Sequence, residues 1–436
     1  MSGLQQKPVA PTSDYRWIVC ALLFFATSIN YIDRQILSLI KEILDRDLGW
    51  TNTQFGMVNS AFQMAYAFGL LFFGWFVDRY GTKIGYAVSI AAWSLAAMAH
   101  ALVFSMTGFL AARIALGASE GGNFPSAVKA AALWFPKRER AFATSIFNSG
   151  SNVGAMIAPA IVPPVAFALG WHWTFILAGC AGFLWLMFWI PLYNVPEKIK
   201  RMSQSERDFI LSDREEEIPG ARQRHSWLSL LSYRQTWSFI AAKFLTDPVW
   251  WFFLIWLPDY FKATRGLDIK RSWVHLVSIY AIITVLSIFG GWVTGHLTQR
   301  GWSVTRARKT GMLVFACAVV PILAATHVGD WAAVMIIALA GSAHQAWSAN
   351  LYTTVSDMFP KSAVASVVGL GGMAGALGGS FFPTLTGWLL DSSKAAGNVT
   401  AGYNILFIIC ASAYLVAFAV NHLLAPRFEP FELNRA

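Results

Sequence analysis

The chain is a succession of apolar runs, each long enough to cross a bilayer. One spanning helix needs about 20 mostly apolar residues. Twelve stretches qualify, at roughly 16–41, 52–77, 84–105, 107–134, 141–168, 172–193, 236–261, 272–298, 309–328, 331–357, 364–390 and 402–424. Backbone groups in lipid must be paired within their own segment, so each run is expected to be an α-helix and the chain an all-α membrane protein. Charged residues make up only 13% of the sequence, against roughly a quarter in a soluble domain. The net charge of +10 does not signal a nucleic-acid partner, because most Lys and Arg sit in short connections, where they set topology.

That basic bias runs through Arg79 and Lys83, then Lys137, Arg138 and Arg140, then Arg300, Arg306, Arg308 and Lys309. It places both termini in the cytoplasm, with Lys262, Arg265, Lys270 and Arg271 after the seventh span dissenting. Residues 1–15 hold two prolines and no cleavable apolar core, so the first span is expected to stay in the mature protein. The cysteines at 20, 180, 317 and 410 match no zinc or disulfide spacing and are expected to be buried thiols.

The expected organisation is a cytoplasmic tail (1–15), a six-helix bundle (16–193), a cytoplasmic linker (194–235), a second six-helix bundle (236–424) and a cytoplasmic tail (425–436). Pro196, the acidic 213–217 run and Pro219-Gly220 mark the linker as a solvated connector. The halves repeat. Phe135-Pro136-Lys137 recurs as Phe359-Pro360-Lys361, 224 residues later, and that offset pairs Gly154 with Gly378 and Pro159 with Pro383. Gly74-Trp75 recurs as Gly291-Trp292 at a slightly shorter offset. A parallel repeat implies two bundles around a midplane site. The 224 offset also sets Glu120 opposite His344.

Inside the first run stands Ser28-Ile29-Asn30-Tyr31-Ile32-Asp33-Arg34-Gln35. Charges at membrane depth turn toward a bundle interior or watery cavity and mark an ion or substrate pathway. Asp33 and Arg34 are therefore read as half of a binding and coupling site. No nucleophile–base constellation or metal spacing occurs, so neither an enzyme nor a metal or other cofactor is expected.

The stretch Gly74-Trp75-Phe76-Val77-Asp78-Arg79-Tyr80-Gly81-Thr82-Lys83 resembles the signature of the major facilitator superfamily. The resemblance implies twelve helices in two six-helix bundles, with Gly74, Asp78, Arg79, Gly81 and Lys83 as a conformational latch. Gly295 stands where the second copy would have its aspartate. Asn30 to Arg34 and the stretch from Arg113 to Pro125 resemble the anion:cation symporter branch, and Lys243 to Trp251 looks most like its hexuronate carriers. By that resemblance the chain is expected to import a hexuronate, galacturonate or glucuronate, together with protons, as a functional monomer in a bacterial inner membrane. Galactonate or another sugar acid, an anion exchanger, a sodium-coupled carrier and a receptor that binds without transport stay open.

The resemblance assigns Arg34 to the substrate carboxylate, and a planar guanidinium suits that task through two hydrogen bonds. It assigns the coupled protons to Asp33 and Glu120; a structural pairing with arginine is the alternative for each. Arg113, seven residues before Glu120 on the same helix face, either tunes Glu120 or is architectural. Gly121-Gly122 and Pro125 imply a kink or tight packing there. Tyr31 and Tyr66 are candidate sugar contacts, the latter by resemblance. Lys243 is a second cation for the substrate or an intrahelical partner of Asp247, four residues on. In span ten His344, Gln345, Trp347, Ser348 and Tyr352 offer polar and aromatic contacts, with His344 either titrating or packing. Asn30 and Asn148 complete the candidate substrate contacts.

Overall fold

A computed structural model describes residues 13–135, 137–211, 227–359 and 361–429. The tails beyond them, the 213–217 run, Pro219-Gly220, Pro136 and Pro360 lie outside the described residues. So do the side chains of Asp78, Lys137, Arg138, Arg140, Lys270, Arg271 and 291–293. The described chain is helical, with no strand among the described residues.

The helices are α1 (Tyr15–Leu39), α2 (Lys41–Leu48), α3 (Asn52–Tyr80), α4 (Thr82–Ala99), α5 (Met106–Glu120), α6 (Asn123–Trp134), α7 (Lys137–Leu169) and α8 (Trp171–Leu192). They continue as α9 (Gln204–Leu211), α10 (Trp227–Leu230), α11 (Arg234–Arg265), α12 (Ile269–Gln299), α13 (Val304–Val319), α14 (Asp330–Met358), α15 (Lys361–Ala395) and α16 (Val399–Leu424). Among the described residues ten helical segments are long and apolar enough to cross a membrane. The α5–α6 pair and α12 supply the other two crossings.

Several expected boundaries shift, among them the start of α13 at Val304 and the end of α15 at Ala395, and two of the expected spans break. The first span stops at Leu39, and Lys41–Leu48 turns off as a separate short helix ended by Gly49 in the left-handed region. The fourth span breaks at Gly121-Gly122, directly after Glu120. Both glycines also meet neighbours closely, Gly121 against the backbone of Gly69 and Gly122 against Ser89, so the expected kink and the expected tight packing coincide. The cysteines divide. Cys20 and Cys410 are buried, whereas Cys180 and Cys317 are exposed on the bundle. A small apolar thiol is as compatible with lipid as with a core, so an apolar run alone does not bury it.

The repeat is physical. Helices end at Trp134 and restart at Lys137, then end at Met358 and restart at Lys361. Gly154 lets α7 approach Ser28 of α1, and Gly378 lets α15 approach Phe244 of α11. In each half the same glycine therefore fits the fifth helix to the first. Between α3 and α4, Gly81 adopts φ +84°, a conformation an L side chain resists.

The two halves close on each other at the face opposite the termini. There Lys41 pairs with Asp259 of α11 at 2.8 Å and with Asp45 at 2.6 Å, and Glu42 pairs with Lys262 at 3.2 Å. Asp391 of α15 accepts from the amides of Asn52 and Thr53 at 3.0 and 2.7 Å. Phe55 meets Trp256 edge-on at 5.1 Å, and Ser60 bonds Thr384 at 2.7 Å. The opposite direction is more open. Tyr352 meets the Phe239 ring at a tilt and lies under the Lys243 ammonium, so its ring faces inward, yet it stays 36% exposed.

At the terminal face α9 docks under the first bundle. Glu206, fully buried, accepts from the backbone amides of Tyr15 and Arg16, both at 3.0 Å, at the start of α1. A carboxylate there satisfies donors that no helical carbonyl reaches and complements the helix dipole. Arg16 then bridges Glu206 and Glu139, at the head of α7.

Candidate functional site

Arg34 projects from α1 toward the bundle interior. Its Nε donates to Glu120 Oε2 of α5 at 2.7 Å, and both side chains are almost wholly buried. The guanidinium is walled by rings: Tyr66 at 4.4 Å, Tyr31 at 5.1 Å, Trp251 at 5.3 Å and Phe62 at 5.4 Å from ring centroid to guanidinium carbon. Three of these rings come from the first bundle and one, Trp251, from the second. The rings exclude water from the arginine while their π faces favour its charge.

Asp33 takes no part in that ion pair. Successive helix residues point about 100° apart, and neither carboxylate oxygen of Asp33 finds a hydrogen-bond partner. It lies within electrostatic reach of Glu120, Arg113 and Arg34. Arg113 is 1% exposed; its guanidinium lies 5.5 Å from the Phe62 ring, on which Arg34 also packs. Its Nε and Nη2 bond nothing, and neither does Glu120 Oε1. Asn30, fully buried, likewise closes no hydrogen bond through its amide. The first bundle thus gathers two arginines packed on one ring, two carboxyls and an amide, most of them with unused hydrogen-bonding capacity. Buried groups of this kind are costly unless satisfied, so the cluster is suited to a polar or charged ligand.

The second bundle contributes differently. Lys243 pairs with Asp247 one turn along α11 at 2.7 Å and lies 4.7 Å from the Tyr352 ring. Asp247 keeps one oxygen without a partner. Gln345 donates across the bundle interface to Asn152 at 3.5 Å, and Ser348 is half-buried. His344 does not reach the Arg34 cluster. It is 4% exposed, stacked flat on Trp250 at 5.4 Å and bonded to the Tyr414 hydroxyl at 2.6 Å. Trp347 is fully buried and meets Tyr414 edge-on. Both residues support the wall behind the site. Asn148 is exposed, nearer the terminal face on α7.

Of the expected latch, Gly74 is half-buried, Gly81 forms the tight link between helices, Lys83 is half-buried and Arg79 is exposed. The Asp78 side chain lies outside the described residues. Sequence reasoning missed Phe62 and Tyr414 as neighbours of the site, and used Trp251 only for resemblance; Asn152, one of the polar residues of span five, was legible there. Phe62 carries no sequence signal. Trp251 does, standing in a Trp-Trp pair one turn after the Lys243–Asp247 motif.

Comparison with known proteins gives concordant results. Residues 23–383 match the family model described as Major Facilitator Superfamily. The hexuronate transporter of Escherichia coli (strain K12) is 31% identical over 405 residues, covering 91% of this chain and 90% of that protein. The D-galactonate transporter of E. coli O6:H1 is 27% identical over 86% of this chain and 89% of its own. A probable galactarate/D-glucarate transporter of Bacillus subtilis (strain 168) is 28% identical over 94% and 93%. Among solved structures, a D-xylose-proton symporter superposes with a TM-score of 0.72 at 15% identity, covering 95% of this chain and 99% of that one. A bacterial homologue of the human lysosomal transporter Spinster, inward-facing and occupied, superposes with a TM-score of 0.73 at 16% identity, over 95% and 98%.

Proposed function

Because the chain belongs to the major facilitator superfamily, a family of membrane transporters rather than enzymes, we propose that it imports a small sugar acid together with protons by alternating access. The favoured substrate is a hexuronate, galacturonate or glucuronate. The chemistry of the site supports this class, as do relatives named as transporters of hexuronates, galactonate and related sugar acids.

One observation carries the coupling. The guanidinium suited to a substrate carboxylate is already held by an internal carboxylate, Glu120, at 2.7 Å. Arg34 cannot serve both in full. A proton on Glu120 neutralises its claim, and the arginine becomes free to clamp an organic anion bidentately. Proton and substrate then bind together, and the loaded and empty carriers favour different conformations. Asp33, unpaired in the same cluster, is the second proton position. Arg113 lends positive charge to both carboxyls. Tyr31, Tyr66 and Asn30 meet the sugar from the first bundle; Lys243, Gln345, Ser348 and Tyr352 meet it from the second.

In this reading the protein lies in a bacterial cytoplasmic membrane as a functional monomer with both termini in the cytoplasm. The closed Asp391 face then looks outward, and the segment from Gly74 to Lys83 latches the cytoplasmic side in the opposite state. More than one proton per monoanion makes transport electrogenic.

Uptake of labelled galacturonate, glucuronate and galactonate into proteoliposomes under an imposed pH gradient tests the class and the coupling. Glu120→Gln should abolish gradient-driven accumulation and keep counterflow exchange, since a neutral amide mimics the protonated acid. Equal loss of both activities counts against a proton role, and indifference to the gradient in the unaltered chain favours an exchanger.

A further inference from the structure

Trp251 is the ring through which the second bundle touches the Arg34 guanidinium, at 5.3 Å. Its orientation is fixed from behind. A Cβ at Gly379 of α15 would stand 2.7 Å from Trp251 Cδ1 and 3.0 Å from its Nε1, so only glycine leaves room for the indole to lie where it does. Trp251 is half-buried rather than enclosed. An anion on Arg34 therefore comes close to the phenols of Tyr31 and Tyr66 from the first bundle and to a pre-set indole from the second.

Sugar acids come in two shapes. A hexuronate keeps its aldehyde and closes to a pyranose, whose axial C–H bonds form a rigid apolar face directly attached to the carboxylate. An aldonate or aldarate has no aldehyde to close that ring and remains a flexible polyol without such a face. An indole beside the carboxylate clamp rewards the first shape and not the second.

We propose that Trp251 is a stacking platform for a pyranose ring and makes the carrier selective for cyclic hexuronates over open-chain sugar acids. The proposal rests on the reading that the substrate carboxylate docks on Arg34, and adds a shape requirement from the second bundle. Because Arg34 and Trp251 belong to different halves, a ring held between them also ties the halves together in the loaded carrier.

The test compares galacturonate with galactonate in proteoliposomes under a pH gradient. Trp251→Ala should raise KM for galacturonate about three- to tenfold more than KM for galactonate, the range expected for losing one aromatic stack beyond any change to the clamp that both substrates share. Trp251→Phe should retain most of the preference, and Gly379→Ala, which displaces the indole, should shift it in the direction of Trp251→Ala. Parallel changes for the two substrates, or no change for either, overturn the proposal. Competition against galacturonate uptake by the unaltered chain does not depend on any variant folding. Methyl galacturonoside, locked as a ring, should compete at concentrations about tenfold below those needed for galactonate. Galactonate competing equally or better overturns the stacking role while leaving sugar-acid transport standing; failure of every sugar acid to accumulate in the unaltered chain removes the functional reading beneath it.

Discussion

Replacing Asp391 should change which face of the carrier is open. Its carboxylate accepts from the amides of Asn52 and Thr53 and, at 2.6 Å, from the Thr53 hydroxyl. Those amides belong to the first turn of α3, where no helical carbonyl can reach them. Thr51 and Gln54 close a capping box on the same turn, so the second bundle completes a cap that the first bundle begins. Side-chain caps are worth about 0.5–2 kcal/mol, and a carboxylate at a helix N-terminus adds about 0.3–1 kcal/mol. The sum is about 1–3 kcal/mol. It acts on the conformational equilibrium, because Asp391 reaches α3 only when this face is closed and all the groups are hydrated when it opens. Asp391→Ala should shift the closed-to-open ratio by roughly five- to 150-fold. Asp391→Asn, which keeps an acceptor and loses the charge, should fall between. Nitroxide labels at exposed Arg46 and Ala396, in a chain whose cysteines are replaced by alanine, report the span by double electron–electron resonance. Growth of a longer-distance population in Asp391→Ala is the expected result. A distribution identical to that of the unaltered chain would refute the argument that this cap holds the face shut.

Three further outcomes are expected from the geometry. Arg34→Lys should weaken substrate binding roughly ten- to hundredfold, the value of one lost charge-assisted hydrogen bond of about 1.5–3 kcal/mol, measured by calorimetry on the detergent-solubilised carrier. Lys243→Met strands Asp247 and should lower the thermal midpoint, whereas Lys243→Met/Asp247→Leu should restore it, because a buried pair can be replaced more cheaply than broken; restored uptake in the double variant would deny Lys243 a substrate contact. Glu206→Ala removes the cap of α1 and a partner of buried Arg16, and should cost roughly 2–4 kcal/mol of stability in a denaturation measurement while leaving substrate affinity unchanged.

The sequence made the local features legible and hid those that depend on packing. Apolar run length placed the spans, glycine and proline pointed to the bend beside Glu120, and the repeated Phe-Pro-Lys pointed to matched positions in the two halves, although the helices restart there at Lys137 and Lys361, earlier than run length suggested. The short helix Lys41–Leu48 escaped because two turns of mixed charged and apolar residues carry little propensity of their own; it forms where Lys41 and Glu42 find Asp259 and Lys262 on the other bundle. The same reason hid Asp391, which sits 339 residues from the amide it caps. The Asp33–Arg34 pair drew attention as a unit, yet the arginine's partner is Glu120, 86 residues away. Adjacency predicts depth in the membrane, and only tertiary packing decides which charges meet.

The repeat itself explains why the site is lopsided. The matched glycines Gly154 and Gly378 set Ser28 of α1 against Phe244 of α11, an offset of 216 that carries Arg34 onto Trp250, and the offset of 224 carries Glu120 onto His344. At the positions where the first bundle holds an ion pair, the second holds an indole and an imidazole stacked on each other, Trp250 and His344, the latter also bonded to Tyr414. Had both halves kept the charges, two guanidiniums and two carboxyls would face each other across the interface. Breaking or re-pairing them at every cycle would be costly in a site of low dielectric. Keeping Arg34 and Glu120 in one bundle, and Lys243 and Asp247 in the other, means that in the proposed cycle a proton and an organic anion exchange on one arginine without an ion pair being split across the seam. To the polar contacts offered from Lys243, Gln345 and Ser348 the other bundle then adds a surface that recognises shape, an aromatic ring set against glycine.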